Sequence, residues 1–181
     1  AFVFLAPFVV LFVIFRVYAI GRAITVSLQD IQGFGLTEWA GLNNYRQLLS
    51  DGTFHTAMQN TALYTLGTLL ILIPLPLVLA AILHSGIIKR RMMFRSLFFL
   101  PVLTSLVVVG VVFNLLLTQN GLVNQALGAV GLPELGWLNT RHLAIPSLLI
   151  MATWRWTGIN IVYFTTGLSN IPDDLYEAAS I

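Results

Sequence analysis

An all-α, polytopic membrane helical bundle with about four transmembrane helices is the fold class that these 181 residues predict. Three observations predict it. The chain is 57% hydrophobic and 9% charged, with a mean hydropathy of +0.88, so it has too little polar surface to cover a water-soluble globule of its size. Four stretches approach the requirement for a crossing helix: about 20 mostly apolar residues, because the hydrocarbon layer is roughly 30 Å thick and each helical residue rises about 1.5 Å. Finally, the bases cluster. The segment HSGIIKRRMMFR (84–95) holds Lys89, Arg90, Arg91 and Arg95 and no acid.

The first transmembrane helix is expected over 1–28, where FVFLAPFVVLFVIFRVYAIGRAITVSL carries Arg16 and Arg22. Both arginines fall toward one end of the span, where a long side chain snorkels to the interface. A secretory signal is a poor account, since the segment has no charged start and no small-residue cleavage pattern after a short apolar core. The first residue is not Met, so an upstream piece is expected. Residues 29–56 form an outer segment whose Gly- and Asn-rich part, QGFGLTEWAGLNNY (32–45), predicts short interfacial helices and turns, with Trp39 at the headgroup level. The next span, TALYTLGTLLILIPLPLVLAAIL (61–83), contains Pro74 and Pro76, which predict a kink whose freed carbonyls a neighbouring helix must satisfy. SLFFLPVLTSLVVVGVVFNLLL (96–117) reads as one span in a charge-free run bounded by Arg95 and Glu134. A second turn-rich outer segment (118–142) carries Trp137, again suited to the headgroups, and the last span, 143–167, carries Arg155. The basic segment 84–95 belongs on the cytoplasmic side by the positive-inside rule. By alternation, 29–56 and 118–142 face outward, while the N-terminus and residues 168–181 face the cytoplasm.

Several function classes are excluded. Cysteine is absent, which removes disulfides and thiolate metal sites, and a formal charge of +2 is too weak a field to suggest nucleic acid as a partner. The longest stretch outside the spans is about thirty residues, too short to sustain a soluble domain. No GxxxxGK[ST] loop, HExxH pair or Gly-x-Ser-x-Gly elbow occurs. His55, His84 and His142 lie near span ends, none paired at helical spacing with another ligand, and read as interfacial rather than metal-binding. No catalytic residue, metal site or cofactor is therefore expected, and any energy source must come from another chain or from a gradient.

The chain closes on IPDDLYEAASI (171–181). Pro172 suits a first helical turn, and Asp173 and Asp174 suit the positive end of its dipole. A helix this short is marginal alone in water, and gains if a partner groove covers Leu175 and Tyr176 while bases meet Glu177; Ala178 and Ala179 allow close approach. The run resembles the start of the EAA signature of permease subunits of bacterial ABC importers. Other pieces agree in order and spacing: GLNNYRQLL (41–49), RSLFFLPVLTSLVVVGVVFNLLL (95–117), NGLVNQAL (120–127), GWLN (136–139) and WRWTGINIVYFTTGLSNIP (154–172). They are similar to the carbohydrate-type branch, that of the maltose and glycerol-phosphate permeases, over almost the whole chain. The resemblance implies that 57–181 is part of a permease domain with a six-helix core. It also implies that 172–181 begins a cytoplasmic coupling helix, with Asp173, Asp174, Leu175, Tyr176, Glu177, Ala178 and Ala179 docking on an ABC ATPase subunit. The signature's Gly and two further core spans lie past Ile181, so a fragment is expected.

The implied partners are that ATPase, a second permease subunit, an extracytoplasmic solute-binding protein, a sugar or sugar-like solute and the lipid bilayer. The implied role is a non-catalytic half of an alternating pathway. In such permeases the fourth span helps line the cavity. Here Ala152, Trp156, Ile159 and Tyr163, spaced 4, 3 and 4, share one helical face on which two aromatics suit a sugar ring. An arginine at mid-bilayer costs about 2.5–3.5 kcal/mol on insertion scales, so Arg155 needs a partner. An anionic solute group, a carboxylate of a second permease, or the interface by snorkelling would each serve. Asn114 and Asn160 read as bonding across helices. Two rivals stay open: a secondary transporter or channel subunit not driven by ATP, for which only Arg155 speaks, and a structural or assembly membrane protein.

Overall fold

The structure, a computed structural model, describes residues 2–32, 36–85, 87–172 and 174–175. The chain divides into two units, Ala1–Gln59 and Asn60–Ile181. In the first, α1 (Phe2–Phe12), a π-helical stretch (Val13–Val17) and α2 (Tyr18–Ser27) run on without a break, since the residues at both junctions hold right-handed helical backbone angles. From Val3 to Ile24 its apolar side chains are exposed, as lipid contact requires.

Residues 29–56 depart from expectation. Before their expected helix comes an antiparallel hairpin, β1 (Gln29–Gln32) on β2 (Leu36–Trp39), with Gln29 opposite Trp39. Local hydrogen bonds favour the strands. The Asn44 side-chain amide donates to the carbonyls of Ser27 and Gln29, each at 3.0 Å, and the Ala40 N–H donates to the Leu28 carbonyl at 2.9 Å. Both ends of the hairpin's base are thereby held. Gly41, at φ +57°, makes the left-handed turn into α3 (Asn43–Ser50). The Asp51 carboxylate then caps α4 (Gly52–Leu72) by accepting from the Thr53 N–H at 2.8 Å.

In the second unit the expected kink is a break. Helix α4 stops at Leu72, Ile73 forms a turn, and α5 (Pro74–His84) restarts on its own proline. The stretch expected as one span over 96–117 is also broken, and this corrects the sequence reading. Helix α6 (Arg91–Phe99) gives way to a 3₁₀ turn (Leu100–Leu103), Thr104 and Ser105 are extended, and α7 (Leu106–Leu117) begins afresh. The cause is local. Pro101 has no N–H to continue the ladder, and Ser105 Oγ accepts from the Val108 N–H at 3.3 Å, which makes it the N-cap of a new helix. Helix α8 (Leu122–Ala129) and an irregular segment lead to α9 (Arg141–Ser169).

Among the described residues, three largely helical stretches are both long and apolar enough to cross a membrane: Val3–Ser27, Gly52–His84 and Leu106–Ala129. At 29 residues α9 is long enough as well, but Arg155, Asn160 and its threonines lower its hydropathy. It packs against α5, α6 and the 3₁₀ turn, with Ala80, Leu83 and Ile161 at the centre and Phe98 and Phe164 around them.

The irregular segment before α9 is organised by Asn124, which is 2% exposed. Its amide donates to the carbonyls of Gln119 and Leu135, both at 3.0 Å, and Thr118, at 3.4 Å; its oxygen accepts from the Leu135 N–H at 3.1 Å and from Trp137 Nε1 at 3.0 Å. Trp137 is thus tied inward at its polar tip, whereas Trp39 is largely exposed. Asn124→Ala strips several buried groups of partners at once. We expect a loss of about 2 kcal/mol or more, read as a melting point lower by several degrees together with a changed Trp137 emission spectrum.

Candidate functional site on helix α9

Helix α9 turns a face of small and hydroxyl residues inward: Ser147, Ala152, Thr157, Gly158, Ile161 and Thr165 are buried. The hydroxyls are satisfied within the helix or its flank. Thr157 and Thr165 donate to carbonyls four residues back at 2.6 and 2.7 Å, and Ser147 lies 2.8 Å from the Leu143 carbonyl and 3.0 Å from that of Trp137. Small residues let backbones approach, and at Gly158 the approach is extreme. A Cβ there would lie 1.8 Å from the Phe98 carbonyl oxygen, so only glycine fits against the end of α6.

That approach brings two polar side chains of α9 to the two helix breaks. Pro76 cannot donate to the Leu72 carbonyl four residues back, and Asn160 does so in its place, Nδ2 to O at 3.2 Å. The expectation that Asn160 bonds across helices is met, while Asn114 is exposed and borders a cleft with Gln119 and Trp137. At the second break, Val108 gives its N–H to Ser105 Oγ rather than to the Thr104 carbonyl. Arg155 fills that vacancy: one terminal nitrogen donates to the Thr104 carbonyl and lies 3.3 Å from the Pro101 carbonyl. Its Cζ also stands 5.2 Å from the Trp156 ring centroid, within cation–π range. In place of the anionic group, carboxylate or interface considered for this arginine, the structure pairs it with backbone carbonyls of its own chain.

The predicted aromatic face divides. Trp156 and Tyr163 are 43% and 67% exposed, Ile159 is half-buried, and Ala152, at 4%, is enclosed. Trp154 points elsewhere, its ring 5.6 Å from that of Phe113 on α7, and it borders an apolar cavity of about 550 Å³ with Ile71, Pro146, Leu149 and Ile150. Of the predicted coupling residues, Asp174 and Leu175 are placed just past the end of α9, both exposed, with the Leu175 N–H bonded to the Pro172 carbonyl at 3.1 Å. Asp173, Tyr176, Glu177, Ala178 and Ala179 lie outside the described residues. Sequence reasoning missed Gly158 and Asn124. An isolated glycine inside a helical run, as in WTGIN, was the available signal for the first.

The profile of the family described as binding-protein-dependent transport system inner membrane component matches residues 72–181. The chain belongs to that family. Among its relatives, the arabinooligosaccharides transport system permease protein AraP of Bacillus subtilis is 42% identical over 182 residues, covering 99% of this chain and 58% of that protein. The lactose transport system permease protein LacF of Rhizobium radiobacter is 35% identical, covering 98% and 60%. The chain therefore spans about three-fifths of the length of these permeases. Its fold is that of a chain in the crystal structure of a bacterial ABC transporter involved in import of the acidic polysaccharide alginate. The TM-score is 0.83 at 23% identity, covering 99% of this chain and 60% of the other.

Two substitutions separate the packing of this permease segment from its polar clamps. Gly158→Ala forces α6 from α9 and is expected to cost about 3 kcal/mol or more, read as a sharply lower melting point of the full-length protein. Arg155→Met loses charge-assisted bonds worth about 1.5–3 kcal/mol each but also removes an ion costing about 2.5–3.5 kcal/mol to embed. The bonds lost, together with the Thr104 carbonyl left without a donor, outweigh the ion removed, so its melting point should fall by several degrees while amide exchange across 104–108 accelerates at least about tenfold.

Proposed function

We propose that the full-length protein is a membrane-spanning permease subunit of an ATP-driven importer, forming half of the translocation pathway for a sugar, with an oligosaccharide the favoured class. The observation that carries this reading is the 42% identity to an arabinooligosaccharide permease along nearly the whole chain, alongside the family match over 72–181. The 35% identity to a lactose permease points to the same solute class. ATP is hydrolysed by a separate partner chain, a second permease completes the pathway, and an extracytoplasmic binding protein delivers solute.

Within this segment Trp156 and Tyr163 offer ring faces to a sugar, about 10 Å apart along the helix at 1.5 Å per residue. Ile159 lies between them. Sugar C–H groups stack on such faces, and exclusion of water strengthens the hydrogen bonds made around them. Arg155 acts through Trp156, whose ring it steadies from the protein side, and Ala152 keeps the packing below the face tight. Asp173 to Ala179 are the residues that couple to the ATPase in this reading: Leu175 and Tyr176 enter a groove of that subunit, and Glu177 meets its bases. The N-terminus, 84–95 and 168–181 are cytoplasmic, in keeping with the four bases of 84–95.

Reconstitution of the full-length protein with its partner subunits tests this reading. ATP-dependent uptake of labelled arabino-oligosaccharide or lactose is expected, and Glu177→Lys should cut it at least about tenfold at unchanged melting point. Trp156→Ala should raise the solute concentration for half-maximal uptake about tenfold, with ATPase assembly intact. Uptake that ignores ATP and collapses with the proton gradient would instead identify a secondary transporter.

A further inference from the structure

A second polar cavity lies at the opposite end of α5 from its proline break. It encloses about 330 Å³ and is lined by Leu83, His84, Arg91, Met92, Arg95 and Ser169. Arg91 and Arg95, four residues apart on α6, share one helical face, so their charges repel along it. Among the described residues no acid lines it to relieve them. Among the described residues Arg95 Nε is buried without a hydrogen-bond partner, a costly arrangement for a guanidinium donor. The Ser169 hydroxyl donates its proton to the Thr165 carbonyl at 2.9 Å, so the donors left for a guest are those of the arginines. The unmet demand is for an anion with several acceptor oxygens.

The other half of the lining is apolar. Leu83 closes one side, and Met92, 75% exposed, opens onto an uncovered surface continued by Met93 and Leu97. The cavity also sits where the charge-free run between Asp51 and Lys89 ends, the depth at which a bilayer changes from hydrocarbon to headgroup. A soluble anion would gain nothing from the apolar half, whereas an amphiphile gains from both. We propose that this cavity seats the phosphate of an anionic glycerophospholipid, with Arg91 and Arg95 donating to its oxygens, His84 at the rim, and an acyl chain running past Met92. The lipid braces α6 against the junction of α5 and α9, and its seating is independent of which solute is carried or what drives it.

The test is the melting point of the purified full-length protein in detergent with added phosphatidylglycerol, phosphatidylcholine or inorganic phosphate. Phosphatidylglycerol should raise it by about 3 °C or more above phosphatidylcholine, and inorganic phosphate should not. Arg91→Gln with Arg95→Gln should lose most of that increment, while Lys89→Gln with Arg90→Gln, an equal charge change outside the lining, should keep it. An equal shift with inorganic phosphate, no lipid-specific shift, or equal loss in both double variants would each overturn the proposal. Should the arginine pair prove necessary for folding, Arg95→Lys keeps the charge but loses the planar fork. Native mass spectrometry should then find retained phosphatidylglycerol down roughly fivefold, and unchanged retention would likewise overturn it.

Discussion

A carbonyl released from a helix ladder inside a hydrocarbon layer has no water to turn to, and leaving it unpaired costs several kcal/mol. This permease segment creates such carbonyls twice, at Pro76 and around Pro101, and answers both from one helix. Asn160 reaches the Leu72 carbonyl, and Arg155 reaches those of Thr104 and Pro101. The solution is reciprocal. An arginine at that depth is as much in need of acceptors as the carbonyls are of a donor, so each offsets the other's desolvation. The glycine between them is part of the same device, because without the contact of Gly158 with Phe98 neither side chain would span the gap.

Breaks held in this way have a mechanical meaning. A continuous helix resists bending along its length, whereas one interrupted by a 3₁₀ turn and two extended residues has a place to flex. Side-chain bonds to the freed carbonyls can break and re-form more readily than a backbone ladder. In the alternating pathway proposed for the full-length protein, the two breaks and their clamps on α9 are where rearrangement would be least costly. The small-residue face of α9 serves the same end by keeping the interface close without locking large side chains together.

Much of the architecture was legible in composition and in the apolar runs. Helices lie over the runs 2–28, 61–83 and 143–167, the second beginning nine residues early at Gly52, since hydropathy marks the hydrocarbon boundary rather than the last helical hydrogen bond. The prolines at 74 and 76 correctly announced an interruption. Pro101 carried the same signal, but it was masked by the greasy residues on either side; Ser105, three residues before the N–H it accepts from, was the missing half of the evidence. The hairpin was hidden for another reason. Its strands are four residues each and are held by Asn44, a partner that local periodicity cannot see. On α9 the spacing found the aromatic edge, but a helical wheel does not tell which residues a neighbour will cover, so Ala152 and Tyr163 fell on opposite sides of the packing boundary.

Along α9 the residues that fasten the fold and those that stay uncovered alternate within a few positions, Arg155, Gly158 and Asn160 against Trp156 and Tyr163. One consequence is evolutionary. Under the sugar-facing role proposed for Trp156 and Tyr163, the uncovered aromatics can be exchanged for other shapes without loosening the scaffold, so a lineage could retune its solute by drifting at two sites while the anchoring trio stays put.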